Sequence, residues 1–194
     1  MALYGAQFPC IASAAVTTVE EEQQIAYTDG TILSQLASCE VTHNWVNGSY
    51  DADNEKQIYK QKYVDTDISI EVQRIDIEVE PILFGNTLST ASGSAKELSR
   101  GSSDNIPQIG FGFINNEIVP NGSEIFTAHL FPWAQATPST QTYTTRTSDS
   151  ISFSGHPLTL KAYADPVSGK YEYVEEFTTE AAAKAYLKTK LGIN

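Results

Sequence analysis

Three histidines, two cysteines and a scatter of carboxylates are the residues of this 194-residue chain whose types could do chemistry. His43, His129 and His156 stand far apart, and none has a cysteine, histidine or carboxylate at a spacing typical of a metal site. Asp51 and Asp53 resemble the opening of a calcium loop, but Lys56 occupies the glycine position and Lys62 that of the closing bidentate glutamate. Ser154, Gly155 and His156 set a hydroxyl near an imidazole, and the triplet reads as part of a strand irregularity rather than a nucleophilic pair. Gly110-Phe111-Gly112 lacks the third glycine and following helix of a dinucleotide site, and the GSAKEL segment has no Gly-Lys-Ser/Thr phosphate loop. Asn47-Gly48-Ser49 and Asn121-Gly122-Ser123 spell the glycosylation triplet but read as turns, and Glu20 to Glu22 as a solvated strand end or loop. The expectation is a protein without catalysis, cofactor or metal.

The elements that carry these residues are mostly strands. Phe8 to Val19 is β-branched and apolar, and Leu36 to Trp45 places Cys39, Val41, His43 and Trp45 on one parity opposite Ser38, Glu40 and Thr42. Asp67, Ser69, Glu71 and Gln73 alternate with Ile68, Ile70 and Val72, the pattern of a half-buried strand. Between these two runs, residues 47–65 form a polar excursion far longer than the roughly two to five residues of an ordinary hairpin loop, so an arm with a partner is expected. Pro81 and Gly85 bracket a short helix with Val79, Ile82 and Leu83 inward. Residues 89–103, rich in serine and glycine, read as a mobile surface loop. Ile109, Phe111 and Phe113 alternate with Gly110 and Gly112, and Ile125 to Trp133 returns as a core strand. The stretch from Ile151 to Phe177 reads as two strands joined at Asp165 to Gly169, with a parity switch at Gly155 to Pro157. A C-terminal helix capped by Thr178 or Thr179 buries Ala183, Leu187 and Leu191 and stops at Gly192. The fold class is therefore mainly β, a sandwich or small barrel with one flanking helix and a C-terminal helix, and residues 1–194 are expected to form one domain.

Composition narrows the function further. Hydrophobic residues make up 41% of the chain, enough to build a packed interior. The net charge is -12, and no lysine or arginine precedes Lys56, whereas Glu20, Glu21, Glu22, Asp29, Glu40, Asp51, Asp53 and Glu55 do. Such a surface repels nucleic acid, whose phosphates call for basic partners. No secretory leader pattern and no bilayer-length apolar run is evident, so a soluble protein with Cys10 and Cys39 as reduced thiols and no membrane insertion is expected.

In their order, the C-terminal ISFSGHPLTLKAYADPVSGKYEYVEEF, the YDADN segment at Tyr50 to Asn54, DISIEV at Asp67 to Val72 followed by PILFG, and GFGFI leading to FTAHLFPWAQ resemble a phage major tail protein. This is the tail-tube subunit of long non-contractile, siphovirus-type tails. The resemblance implies a β-sandwich with a flanking helix, of which six copies close into a ring and rings stack into a hollow tube in the virion, assembled in the host bacterial cytoplasm. It implies as partners the chain itself, a tape measure protein, a tail terminator and a distal tail protein, with phage DNA passing through the lumen without specific binding. It likens the arm to an inter-ring stacking loop, carried here by Asn47, Tyr50, Asp51, Asp53, Asn54, Lys56, Tyr59 and Lys62. Glu40, Asp67 and Glu71 are the acids expected to face the lumen, where they would keep DNA from sticking. The alternative is a carbohydrate- or receptor-binding tail module, in which Trp45, Trp133 and the tyrosines would hold sugar.

Overall fold

The computed structural model describes residues 2–52, 55–90, 95–138, 140 and 155–193, with the side chains of residues 2–4 and 50–58 outside that description. The protein is mainly β. Among the described residues the strands are β1 (Ala2–Val19), β2 (Glu22–Ile32), β3 (Leu36–Ala52), β4 (Glu55–Val72), β5 (Thr87–Thr90), β6 (Lys96–Ser99), β7 (Gln108–Ile118), β8 (Glu124–Thr137), β9 (His156–Ala162) and β10 (Tyr173–Phe177), and the helices are α1 (Glu80–Phe84) and α2 (Glu180–Leu191). Eight strands form one antiparallel sheet in the order β2-β1-β7-β8-β9-β4-β3, with β10 against β8. β5 and β6 make a separate two-stranded ribbon.

Side-chain parity explains how this sheet becomes layers. In β1 and β7, Ile11, Ile109, Phe111 and Phe113 point one way, into a core shared with Ile68, Ile70 and Val72 of β4 and Leu158, Leu160 and Ala162 of β9. Cys10, Ala12 and Ile114 point the other way, with Ala128 and Leu130 of β8, into a second core under α2. The sheet therefore folds back on itself as a sandwich, and α2 covers the outside of the β1-β7-β8 layer. The fold-back runs through β8, whose register against β7 slips between Ile109 and Phe111, a bulge that holds Pro132, where a missing N–H is tolerated. Because of that slip Phe131 and Ala134 share a core despite opposite parity.

The glycines of the GFGFI segment serve α2. A methyl at Gly110 would lie 2.5 Å from Tyr27 and 2.7 Å from Leu191, and one at Gly112 would lie 2.9 Å from Leu187. Bare backbone at these two positions lets the helix sit close to the strand. Thr179 caps α2 by accepting a hydrogen bond from the Ala182 amide at 3.3 Å, Ala183, Leu187 and Leu191 are fully buried, and Gly192 ends it in the left-handed region at φ 63°. In α1, Pro81 lies in the first turn and Gly85 caps the end at φ 68°, with Leu83 and Val79 in the sandwich core.

Several sequence expectations are corrected. Strands β3 and β4 run on beyond the expected ends at Trp45 and Thr66, paired from Asn44 and Asp65 out to Ala52 and Glu55, so the arm at 47–65 is built as a two-stranded ribbon. Its polar alternation was masked because neither face of a ribbon beyond the core is buried. The Ser/Gly-rich stretch is in part the β5–β6 ribbon, although residues 91–94 lie outside the described residues. β10 pairs with β8 instead of β9, the two strands sharing one edge of β8 at Phe126–Leu130 and Ala134–Thr137. Trp45, expected on the buried parity, is 46% exposed because it sits past the end of the core. The strand expected at 151–154 lies outside the described residues.

Candidate functional site

One cleft, about 440 Å³, is lined by Ile75, Glu80, Phe84, Asn86, Arg100 and Pro157, and Arg100 and Asn86 both hydrogen-bond to Glu80. Arg100 forks onto both oxygens of Glu80, and Asn86 donates to the same carboxylate at 3.1 Å. Among the described residues no group of three or more histidines, cysteines or carboxylates is arranged to hold a metal ion. Cys10 and Cys39 are free, and burial pushes both thiols up to about 12, so neither is a thiolate nucleophile at neutral pH.

The tertiary structure does bring together two residues the sequence keeps apart. His43 of β3 and His129 of β8 both reach Glu172, at 3.4 Å through Nε2 and 2.7 Å through Nδ1, respectively. A carboxylate only accepts, so the His129 Nδ1–H donates to it. His129 lies flat against Phe113, and His43 is held on its other nitrogen 2.8 Å from the buried Thr66 hydroxyl. Tyr171, beside Glu172, stacks on Tyr63 at 4.1 Å, and Trp45 meets both rings edge-on. This brace ties the segment before β10 to both layers of the sandwich at the root of the ribbon. No spacing signal could have found it, since its parts come from three elements whose adjacency the sequence leaves open.

Edges are the second feature. Among the described residues β2 pairs only with β1 and β3 only with β4, so the two ends of the sheet present unpaired N–H and C=O groups. β2 is a strand that the sequence pattern does not show, because Gln23, Gln24, Thr28 and Asp29 break its apolar alternation.

The expected site residues divide in three. Register puts Glu40 opposite Ser69, Thr42 opposite Asp67 and Ser38 opposite Glu71, so Glu40, Asp67 and Glu71 share the face turned away from the sandwich core. On that face Lys161 lies 3.3 Å from both Asp65 and Asp67, and Asn44 donates to the same two carboxylates. The Asn44 hydrogen bond, reinforced by Lys161, holds the Asp67 carboxyl below its ordinary range, and hydrogen bonds to Asp67 and Asp65 hold Lys161 above its own. Glu71 accepts from the Gly155 amide at 3.0 Å. In the ribbon, Asn47 pairs with Gln61 across the strands, and Tyr59 and Lys62 are exposed. Tyr50, Asp51 and Lys56 have paired backbones only, and Asp53 and Asn54 lie outside the described residues.

No protein-family model matches this chain, and no curated protein matches it either.

Proposed function

We propose that this chain is a structural subunit of a phage tail tube, acting through repeated contact with copies of itself rather than through a pocket. The single observation that carries the reading is a sheet with two open edges, β2 at one end and β3 at the other. Edge β2 of one copy pairs with edge β3 of the next, a heterologous contact that closes into a ring of six when the rotation per copy allows it. The face bearing Glu40, Asp67 and Glu71 lines the bore, where four carboxylates including Asp65 against one lysine repel DNA phosphates. The projecting β3–β4 ribbon bridges successive rings. The proposed partners are the tape measure protein, the tail terminator and the distal tail protein, the proposed location is the virion, and the reading assigns no catalytic step.

Electron microscopy of concentrated protein tests this, with rings or long tubes expected. Closing the ribbon with a tight Asn-Gly turn between Asn44 and Asp65 should leave a folded chain that still forms rings but no long tubes. Normal tubes from that variant would refute the stacking role. A second reading, a carbohydrate-binding module, is favoured by Trp45, which is 46% exposed beside Tyr63 and Tyr171. It predicts a small oligomer that binds on a glycan array and loses binding on Trp45→Ala, whereas the tube reading predicts no glycan signal.

A further inference from the structure

Two ribbons outrun the sheet, and register sends them in opposite directions. Ser13, Ile109, Ala134, Ala162, Thr66 and His43 form one row across β1, β7, β8, β9, β4 and β3. From that row β1 and β2 continue past β7 to a turn at Glu20 and Glu21. Because every neighbouring pair is antiparallel, β3 and β4 continue past β9 the other way, to Ala52 and Glu55. Each subunit therefore has one ribbon at either end of its strands.

The two ribbons differ in charge. At the root of the β3–β4 ribbon, Val46 lies opposite Lys62 and Gly48 opposite Lys60, and with Tyr63 and Val64 they line an open groove. Val46 is 60% exposed and Val64 45%, an apolar floor with no cover among the described residues. Among the described residues neither Lys60 nor Lys62 has an ion-pair partner. Farther out, Lys56 stands opposite Asp51 and Glu55 opposite Ala52, so the ribbon's paired lysines without a carboxylate across the strands lie at its root. The β1–β2 ribbon ends in Glu20, Glu21 and Glu22, which likewise have no ion-pair partner among the described residues, and it exposes Val16 at 41% and Val19 at 49%. Lysines over valines on one ribbon match glutamates beside valines on the other.

We propose that the groove at the root of the β3–β4 ribbon receives the Glu20–Glu22 turn of a second copy of this chain, stacked end to end with the first. The proposal rests on the tail-tube reading and names the surface that ribbon grips. Copies that each carry a net charge of -12 repel one another unless opposite charges meet locally, and this is the pair of surfaces that supplies it. The two surfaces are different and lie at opposite ends, so the contact is head-to-tail and repeats without closing, as a filament axis requires. Screening should weaken it.

Charge reversal tests the proposal on the full chain. Lys60→Glu with Lys62→Glu, and separately Glu20→Lys with Glu22→Lys, should each raise the critical concentration for tube assembly by about tenfold or more, and all four together should restore it to near wild type. Far-UV circular dichroism and denaturation midpoints check that each variant is folded. As a measurement independent of charge reversal, Val19→Cys with Val46→Cys should give a ladder of covalent multimers on oxidation of assembled tubes. Assembly of either paired variant at the wild-type concentration, failure of the fourfold variant in a folded state, or absence of the ladder overturns the contact. A wild-type chain that never polymerises would remove the tail-tube reading too, whereas tubes with no charge rescue would remove only this contact.

Discussion

Replacing Gly110 with alanine sets two effects of opposite sign against each other. Alanine restricts the unfolded chain more than glycine and would by itself stabilise by about 0.4–1 kcal/mol. Against this, the new methyl arrives 2.5 Å from Tyr27 Cε1 and 2.7 Å from Leu191 Cδ2, both inside carbon contact distance. Neither neighbour moves freely, since the Tyr27 hydroxyl donates to the Pro132 carbonyl at 3.1 Å and Leu191 is fully buried. Overpacking of this kind costs about 1–3 kcal/mol, so the net expectation is a loss of about 1–2 kcal/mol, read as a lower urea midpoint with unchanged slope in the dissociated chain. Leu191→Ala alone should cost about 2–5 kcal/mol by opening a cavity. In the double variant the alanine methyl occupies part of that cavity, so the combined loss should fall short of the sum by at least about 1 kcal/mol. Strict additivity within about 0.5 kcal/mol, or a Gly110→Ala chain as stable as wild type, would refute the argument that this glycine seats α2.

Other expectations follow from single contacts. Glu172→Gln keeps the shape of the brace but removes its charge, and loss of a charge-assisted bond to His129 should lower unfolding stability by about 1.5–3 kcal/mol; a change under about 0.5 kcal/mol would show the brace to be idle. Glu20 and Glu21 form the two-residue β1–β2 turn with φ of 50° and 71°, a conformation suited to Asn-Gly, so Glu21→Gly should stabilise the dissociated chain by about 0.5–1 kcal/mol, and destabilisation would contradict the strain. The Asp67 carboxyl is held low, so its contribution is present above the ordinary carboxylate range and is lost as pH falls through its lowered value. Lys161 is held high, so its contribution is present below the ordinary lysine value of 10.5 and is lost as pH rises through its raised value. The stability gap between wild type and Lys161→Met should therefore be flat at neutral pH and close at both extremes, and a gap independent of pH throughout would sink the pairing.

Local pattern made much of the fold legible. The alternation of Ile68, Ile70 and Val72, the four-residue spacing of Ala183, Leu187 and Leu191, the Thr179 cap and the Pro81–Gly85 bracket each act within a few residues, where propensity and burial agree. The same local rules placed Glu40, Asp67 and Glu71 on one face. They failed for β2, whose polar interruptions hide a strand held by β1, and for residues 47–65, where two strands leave the core together and no buried face imposes a period. Composition settled the chain's net charge of -12.

Only the tertiary structure decided which strands neighbour one another. That adjacency sends β10 to β8, folds the sheet through a bulge, gathers His43, His129 and Glu172 from three distant segments, and leaves β2 and β3 as the open ends. The reason is that pairing between strands far apart in sequence depends on the whole set of buried faces being satisfied at once, which no single segment encodes.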